Sequence, residues 1–222
     1  LIDSLRAFGG YLSQNPVWLF EADRQAECHR LAQDGLTVIP IQVPEAIKPA
    51  LFSEKVFACA QAEAMAGADI GSLVWIDPGC LVVNPPVLYE LGAGFDAAFR
   101  PVHIQNVGLR VEQPLDTFWK GIYAEIGMSE VPATVQSFVD QRVLRAYYNS
   151  HAFSVNPALG LLGRWWEHFQ ALVFNEVFQQ AACQDETHQI FLFQALLSVL
   201  ITKEVDHRRL RLLPPQYNYP FN

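Results

Sequence analysis

The sequence is poor in the residues that would give it an obvious chemical signature. Its 222 residues include only four cysteines, Cys28, Cys59, Cys80 and Cys183, and no two of them form a CxxC pair. This spacing excludes the common cysteine zinc sites and the thioredoxin motif. Because Cys59 and Cys80 lie in apolar surroundings, where a free cysteine behaves as a small hydrophobe, we expect a reducing compartment and a cytoplasmic location.

Basic residues are also scarce. The chain has 15 Lys and Arg against 23 Asp and Glu, which gives a formal net charge of −8. This balance argues against a broad nucleic-acid interface, which needs clustered basic side chains, but leaves open a local basic pocket for one diphosphate. Uncharged apolar runs long enough to cross a membrane are absent, so we expect no transmembrane segment. The glycine-rich phosphate loops and the common hydrolase motifs are absent as well.

The chain contains alternating strand and helix patterns. Short apolar or β-branched runs, bounded by Gly and Pro, predict strands at 16–22, 36–44, 73–76, 95–102, 152–155 and near 210. Helical composition or spacing predicts helices at 3–11, 23–35, 53–68, 114–127, 162–178 and 184–201, the third capped by Ser53. This alternation predicts one α/β domain over residues 1–222, in which a mixed, mostly parallel sheet is flanked by helices on both faces.

The stretch SLVWIDPGCLVVNPP, residues 72–86, is the most informative local pattern. An apolar run typical of a buried strand ends on a single carboxylate, Asp77, and Pro78-Gly79 then turns the chain. In open α/β sheets, ligands bind outside the carboxyl ends of the strands. Asp77 is therefore expected either to face a ligand crevice or simply to begin a turn.

The order of motifs resembles that of the GT-A nucleotide-diphospho-sugar transferases. In that family a helix with a basic residue precedes an apolar strand that ends in DxD, and here Lys55 and Asp77-Pro78-Gly79 occupy those places. The segment YYNSHAFSVNP matches the family's aromatic–Asn–small–Gly strand, with Asn149 in the matching place. The segments DETHQIFLFQALL and LLPPQYN match a later helix and the common ending, so the resemblance covers most of residues 3–218.

The resemblance implies a Rossmann-like GT-A fold and transfer of a sugar from a nucleotide-sugar to an acceptor hydroxyl on a glycan, lipid or protein. It implies a donor site formed by Lys55, Asp77, Asn149, His151 and Gln189. It also implies Mn²⁺ or Mg²⁺, held by Asp77, to neutralise the leaving diphosphate. Asp185 and Glu186, at the start of the last helix, are candidates for activating the acceptor hydroxyl, although acids at this position are typical of helix capping.

The sequence departs from the family pattern in three places. Gly79 replaces the last acid of DxD, and His151 replaces a Gly that would let backbone approach the donor sugar. The family's first strand would precede Leu1, so we expect it to be missing from this chain. His151 is either a polar residue at a strand end or a ligand or base that replaces part of the lost acid. The departures leave two alternatives open: an inactive binding or scaffold domain with this fold, and a nucleotidyltransferase or other doubly wound enzyme.

Overall fold

The computed structural model describes residues 1–22, 31–32, 35–129 and 134–220. The helix predicted over 23–35 lies largely outside these residues. The α-helices of the described part are α1 (Ile2–Phe8), α2 (Ser53–Met65), α3 (Thr117–Ile126), α4 (Leu161–Phe174), α5 (Glu176–Ala182) and α6 (Glu186–Glu204). None of them is both long and apolar enough to cross a membrane.

The strands are β1 (Val17–Glu21), β2 (Leu36–Pro40), β3 (Leu73–Ile76), β4 (Ala97–Phe99), β5 (Thr134–Gln136), β6 (Val143–Arg145), β7 (Ala152–Val155) and β8 (Leu210–Leu212). Six of the strands lie where they were predicted, and two further strands, β5 and β6, were not predicted. β1 and β2 form a parallel pair, and β5 and β6 form an antiparallel pair. The remaining strands form a four-stranded sheet in the order β3-β7-β4-β8.

The prediction of a mixed α/β fold is confirmed, but the four-stranded sheet is not mostly parallel. β7 runs antiparallel to both β3 and β4, and only β4 and β8 are parallel neighbours. The reason is that the chain enters β7 at the edge where β3 and β4 end. The carboxyl ends of β3, β4 and β8 and the start of β7 therefore lie along one edge of this sheet, which we call the strand-end edge.

The two faces of this sheet are covered differently. Ala97 and Phe99 of β4 and Phe153 of β7 face the large core, whereas Ala98 and Ala152 face a smaller cluster. This is the alternation that a pleated strand produces. The helices contribute to the large core, while the smaller cluster is completed by the 3₁₀ turn Val87–Tyr89 and by the chain after β8. Among the described residues no α-helix contributes to the smaller cluster, so the expectation of helices on both faces is not confirmed for the four-stranded sheet.

α6 is the central helix of the large core. Ten consecutive residues, 192–201, are buried, so this helix is enclosed on all sides rather than amphipathic. It packs against α3 and α4, and it carries Phe193 and Gln194 towards the strand-end edge.

Three local predictions were wrong. β3 is not fully buried, because only β7 pairs with it among the described residues, and Val74 is 40% exposed. The helix predicted over 162–178 is two helices, since the Asn175 side chain accepts a hydrogen bond from the Phe178 amide and begins α5. Ser53 does not cap α2; its hydroxyl donates to the Lys48 carbonyl, and Phe52 occupies the cap position.

Candidate functional site

Asp77 lies directly after β3, at the strand-end edge. Its amide donates to the His151 carbonyl at 2.8 Å, which extends the β3–β7 pairing by one residue, and its carbonyl accepts from the Cys80 amide at 2.9 Å. The second bond closes the turn that Pro78 and Gly79 form. The turn leaves the Asp77 side chain at the edge, where the indole Nε1 of Trp75 donates to Oδ1 at 2.6 Å.

Lys55 reaches the same carboxylate from α2. Its Nζ lies 2.9 Å from each Asp77 oxygen and donates to the Ser150 carbonyl at 2.8 Å. The ammonium also lies 5.8 Å from the Trp75 ring centroid and 5.3 Å from that of Phe193, within the range of cation–π attraction. Only 9% of the Lys55 side chain is exposed, so this charge depends on Asp77 for its neutralisation.

His151 completes a cluster with Lys55 and Asp77. Its Nδ1 lies 2.8 Å from Asp77 Oδ2, and 48% of its side chain is exposed. An ionised carboxylate only accepts hydrogen bonds, so Nδ1 is the protonated nitrogen, and Nε2 of the neutral ring is an acceptor. An imidazole oriented through Nδ1 by a carboxylate is the arrangement that general bases use. We refer to Lys55, Asp77 and His151 as the Asp77 cluster.

The surroundings keep Asp77 ionised. Burial alone would raise the pKa of its carboxyl group, but the hydrogen bond from His151, the charge of Lys55 and the further hydrogen bonds outweigh burial. The pKa of Asp77 is therefore lowered from its ordinary value. Its carboxylate is negative at neutral pH.

The Asp77 cluster does not have the donor set of a divalent-cation site. Both carboxylate oxygens accept from N–H groups of the protein, and the nearest cation is the Lys55 ammonium. No group of three or more His, Cys, Asp or Glu suited to a metal occurs in the described part of the chain. Mn²⁺ and Mg²⁺ prefer several oxygen ligands, which these residues do not provide as they are arranged. The expected metal stays a prediction.

Asn149 connects the Asp77 cluster to the chain after β8. Its side-chain oxygen accepts from the His151 amide at 3.0 Å and from Asn218 Nδ2 at 2.7 Å. The other end of the Asn218 amide accepts from Cys80 Sγ at 3.3 Å. The Tyr-Asn ending therefore returns to the strand-end edge, and the structure brings Lys55, Asp77, Asn149 and His151 together.

Sequence reasoning missed a buried amide network behind the cluster. Gln194 Oε1 accepts from both the amide and the hydroxyl of Ser150 at 3.1 Å, and its Nε2 donates to the Tyr147 hydroxyl at 2.8 Å. Ser150 and Gln194 are 0% and 2% exposed. The signal was present in FLFQALL, because an amide inside an apolar helical run must find buried partners.

The other predicted site residues lie at the start of α6. Gln189 is exposed and donates to the Cys183 carbonyl at 2.8 Å. Asp185 caps the helix by accepting from the His188 amide at 2.9 Å, and its second oxygen pairs with the His188 ring. Glu186 is exposed. A helix rises 1.5 Å per residue, so Gln189 and Asp185 lie roughly 7 and 13 Å along the axis from Gln194, and no contact joins them to the Asp77 cluster within the described residues.

Comparison with known proteins gives one distant structural match. The crystal structure of mouse xyloside xylosyltransferase 1, in its apo form, matches with a TM-score of 0.40 at 14% identity, over 96% of this chain and 79% of that chain. No protein-family model matches, and a search of curated proteins finds no match. A likeness this distant does not establish a family.

Proposed function

We propose that this protein is a glycosyltransferase that moves a sugar from a nucleotide-sugar to an acceptor hydroxyl. The observation that carries the proposal is the Asp77 cluster, in which a carboxylate holds a half-exposed imidazole at the edge where three strands end. Ligand sites of open α/β sheets lie at such an edge. The motif order that resembles the GT-A family supplies the class of substrate.

In the proposed reaction His151 is the general base. The acceptor oxygen attacks the anomeric carbon and its proton passes to His151 Nε2, while the bond to the diphosphate breaks and its electron pair leaves with the nucleoside diphosphate. Asp77 orients the ring and stabilises the imidazolium that forms, as the aspartate of a catalytic triad does. Lys55 keeps Asp77 ionised. A direct displacement of this kind inverts the anomeric centre.

Asp185 and Glu186 have no part in this scheme. A role for either in activating the acceptor stays a prediction, and the hydrogen bond from the His188 amide to Asp185 is typical of a helix cap. Gln189 likewise stays a predicted donor contact.

A binding domain without turnover is the second candidate. It is favoured by one observation, namely that the chain's own N–H groups already occupy both oxygens of Asp77. Such a closed cluster can hold the strand ends together without taking part in chemistry. The two candidates differ in what happens after a nucleotide-sugar binds.

The test is to mix the purified protein with a panel of sugar nucleotides and a panel of acceptors that carry a free sugar, lipid or serine hydroxyl, with and without Mn²⁺, and measure both thermal unfolding and release of nucleoside diphosphate by ³¹P NMR. A ligand at 100 times its Kd stabilises the folded state by about 2.7 kcal/mol, which is readily measured. The transferase proposal expects stabilisation with turnover. It also expects His151→Gln to bind the donor but to lose about 10² to 10⁴ in rate, the usual contribution of a general base.

The matched control is His207→Gln. The His207 side chain is 82% exposed and pairs with Asp206, outside the Asp77 cluster, so its loss should leave turnover unchanged. Donor binding without turnover in the wild type would select the binding domain, and absence of any ligand-induced shift would refute both candidates.

A further inference from the structure

A second polar position on the strand-end edge is occupied by a buried arginine. Arg100 follows β4 directly and is 1% exposed. Its Nη1 donates to the Pro101 carbonyl at 2.8 Å, while its Nε is buried and has no hydrogen-bond partner among the residues that the structure describes. None of the ion pairs seen within the described residues involves Arg100. Since buried charges are normally paired, this guanidinium lacks the partner that its position calls for.

Arg100 lines a cavity of about 230 Å³. Phe138 forms one side, with its ring centroid 4.8 Å from the guanidinium carbon, and Gln136 and Gln141 contribute amide side chains. A guanidinium that stacks on a ring face keeps its in-plane N–H groups for other acceptors. The cavity therefore combines an apolar side with a buried donor.

The electrostatics favour an anion in this cavity. Burial lowers the pKa of Arg100 to about 10, an effect that the nearby Tyr89 phenol partly opposes, so the guanidinium is charged at neutral pH. The ring Nδ1 of His103 is also buried and finds no hydrogen-bond partner in the described part of the chain, and the ring lies 6.2 Å from that of Phe138. Burial lowers the pKa of His103, the charge of Arg100 lowers it further, and the charge of Asp140 partly opposes both effects. The positive potential on this part of the edge therefore comes from Arg100, and Asp140 offsets part of it.

The cavity is connected to the Asp77 cluster through Asn149. The Asn149 amide donates to the Arg100 carbonyl at 2.8 Å, and its side chain accepts from the His151 amide. Arg100 and His151 therefore lie on the same strand-end edge, with Asn149 between them. The volume is below the roughly 300 Å³ at which pockets for drug-sized ligands begin, so it suits one charged group rather than a nucleotide.

We propose that the Arg100 cavity binds a single oxyanion, a carboxylate or phosphate monoester, carried by the sugar acceptor. Naming the ligand as the acceptor rests on the proposed function. The binding of an oxyanion does not, because it can be measured without any sugar nucleotide.

The first experiment uses inorganic phosphate and acetate as probes, with chloride at matched ionic strength as the reference, and follows ¹H–¹⁵N shifts and thermal unfolding. Arg100→Gln should abolish saturable binding. Because a substitution at this buried position also disturbs packing, two variants of exposed Gln136 keep the test decisive. Gln136→Glu should weaken and Gln136→Lys should strengthen the apparent affinity, each by about threefold, the effect of one unit charge several ångströms away in water. The proposal would be overturned if no saturable binding is found, or if the affinity is the same in the wild type and in both Gln136 variants.

The second experiment identifies the source of the oxyanion. Glucuronate, glucose 6-phosphate and neutral glucose are compared under the same conditions, and binding of either charged sugar but not glucose supports the proposal and decides between carboxylate and phosphate. If neither charged sugar binds, the acceptor assignment fails. The acceptor assignment also fails if Gln136→Glu and Gln136→Lys shift the affinity for uridine diphosphate by the same factors, because the cavity would then hold the donor.

Discussion

His151 and Asp77 are joined twice, once through the main chain and once through the side chains. The Asp77 amide donates to the His151 carbonyl at 2.8 Å, and His151 Nδ1 lies 2.8 Å from Asp77 Oδ2. The first bond belongs to the end of the β3–β7 pairing, so the sheet itself sets the distance between the two side chains. The imidazole is thereby held in one orientation, as the proposed role of His151 as general base requires.

The effects on stability of substituting Lys55 and Asp77 should be strongly coupled, because the two residues form an ion pair. Asp77→Asn leaves the nearly buried Lys55 ammonium without its counter-charge and should lower the free energy of unfolding by about 3 kcal/mol at pH 7. The double variant Lys55→Met/Asp77→Asn removes both charges and should recover part of that loss. Urea unfolding of the wild type, the two single variants Lys55→Met and Asp77→Asn, and the double variant measures the coupling free energy. Strictly additive losses would show that the pair contributes nothing beyond its separate residues.

The buried amide of Gln194 should be far more important for stability than that of Gln189 on the same helix. Gln194→Leu removes the acceptor for the Ser150 amide and hydroxyl and the donor to Tyr147, all in a buried site, and should cost about 2–4 kcal/mol. Gln189→Leu is the control, because that side chain is exposed and makes one bond to the Cys183 carbonyl, so it should cost less than about 1 kcal/mol. If urea unfolding gave the same loss of stability for both variants, the buried network would not have the importance proposed for it.

Glu63 should give a pH dependence of the opposite sign to that of Asp77. Burial raises the pKa of the Glu63 carboxyl group despite the hydrogen bond that its Oε2 accepts from the Gly163 amide, and Oε1 is buried without a partner. With its pKa higher in the folded state, the folded protein binds more protons, so stability falls as pH rises between the unfolded and folded pKa values. Glu63→Gln removes this loss, and its stability relative to wild type should increase from pH 4 to pH 7. A constant difference between the two proteins over that range would refute the assignment.

The contribution of Asp77 to stability has the opposite dependence on pH. Its folded pKa is lowered, so its contribution to stability is present above the ordinary aspartate pKa and is lost as pH falls through the folded value. The stability difference between wild type and Asp77→Asn should therefore shrink on acidification below about pH 4. Urea unfolding of both proteins between pH 3 and pH 6 measures this trend, and a difference that grew towards low pH would contradict it.

Local patterns were enough to predict much of the strand-end edge. The apolar run before Asp77 and the polar residues before β7 indicated strand ends, and side chains at strand ends on one edge meet. Pairing directions could not be predicted in the same way, because they depend on where the chain re-enters the sheet after α3 and the β5–β6 pair. The exposure of Val74 has the same origin, since it follows from which strands pair with β3.

Residues that act through tertiary contacts were the ones missed. The resemblance directed attention to Gln189. The amide that reaches Ser150 is instead Gln194, which lies about 1.4 helical turns further along α6. Arg100 gave no local signal either. Its neighbours in sequence are apolar or proline, and its burial next to Phe138 comes from packing between distant segments.

Introducing an acid at position 79 tests what the Asp77 cluster lacks for metal binding. A Cβ at Gly79 would meet no atom within 4 Å, so Gly79→Asp and the uncharged control Gly79→Asn should each change the free energy of unfolding by less than about 0.5 kcal/mol. The second carboxylate, two residues from Asp77, adds oxygen ligands of the kind that Mn²⁺ prefers. We therefore expect Mn²⁺ to raise the thermal midpoint of Gly79→Asp and to have little effect on Gly79→Asn or the wild type. Equal stabilisation of all three proteins by Mn²⁺ would instead mean that the cluster holds the ion without a second acid, and that Lys55 gives up its place on Asp77 when the metal binds.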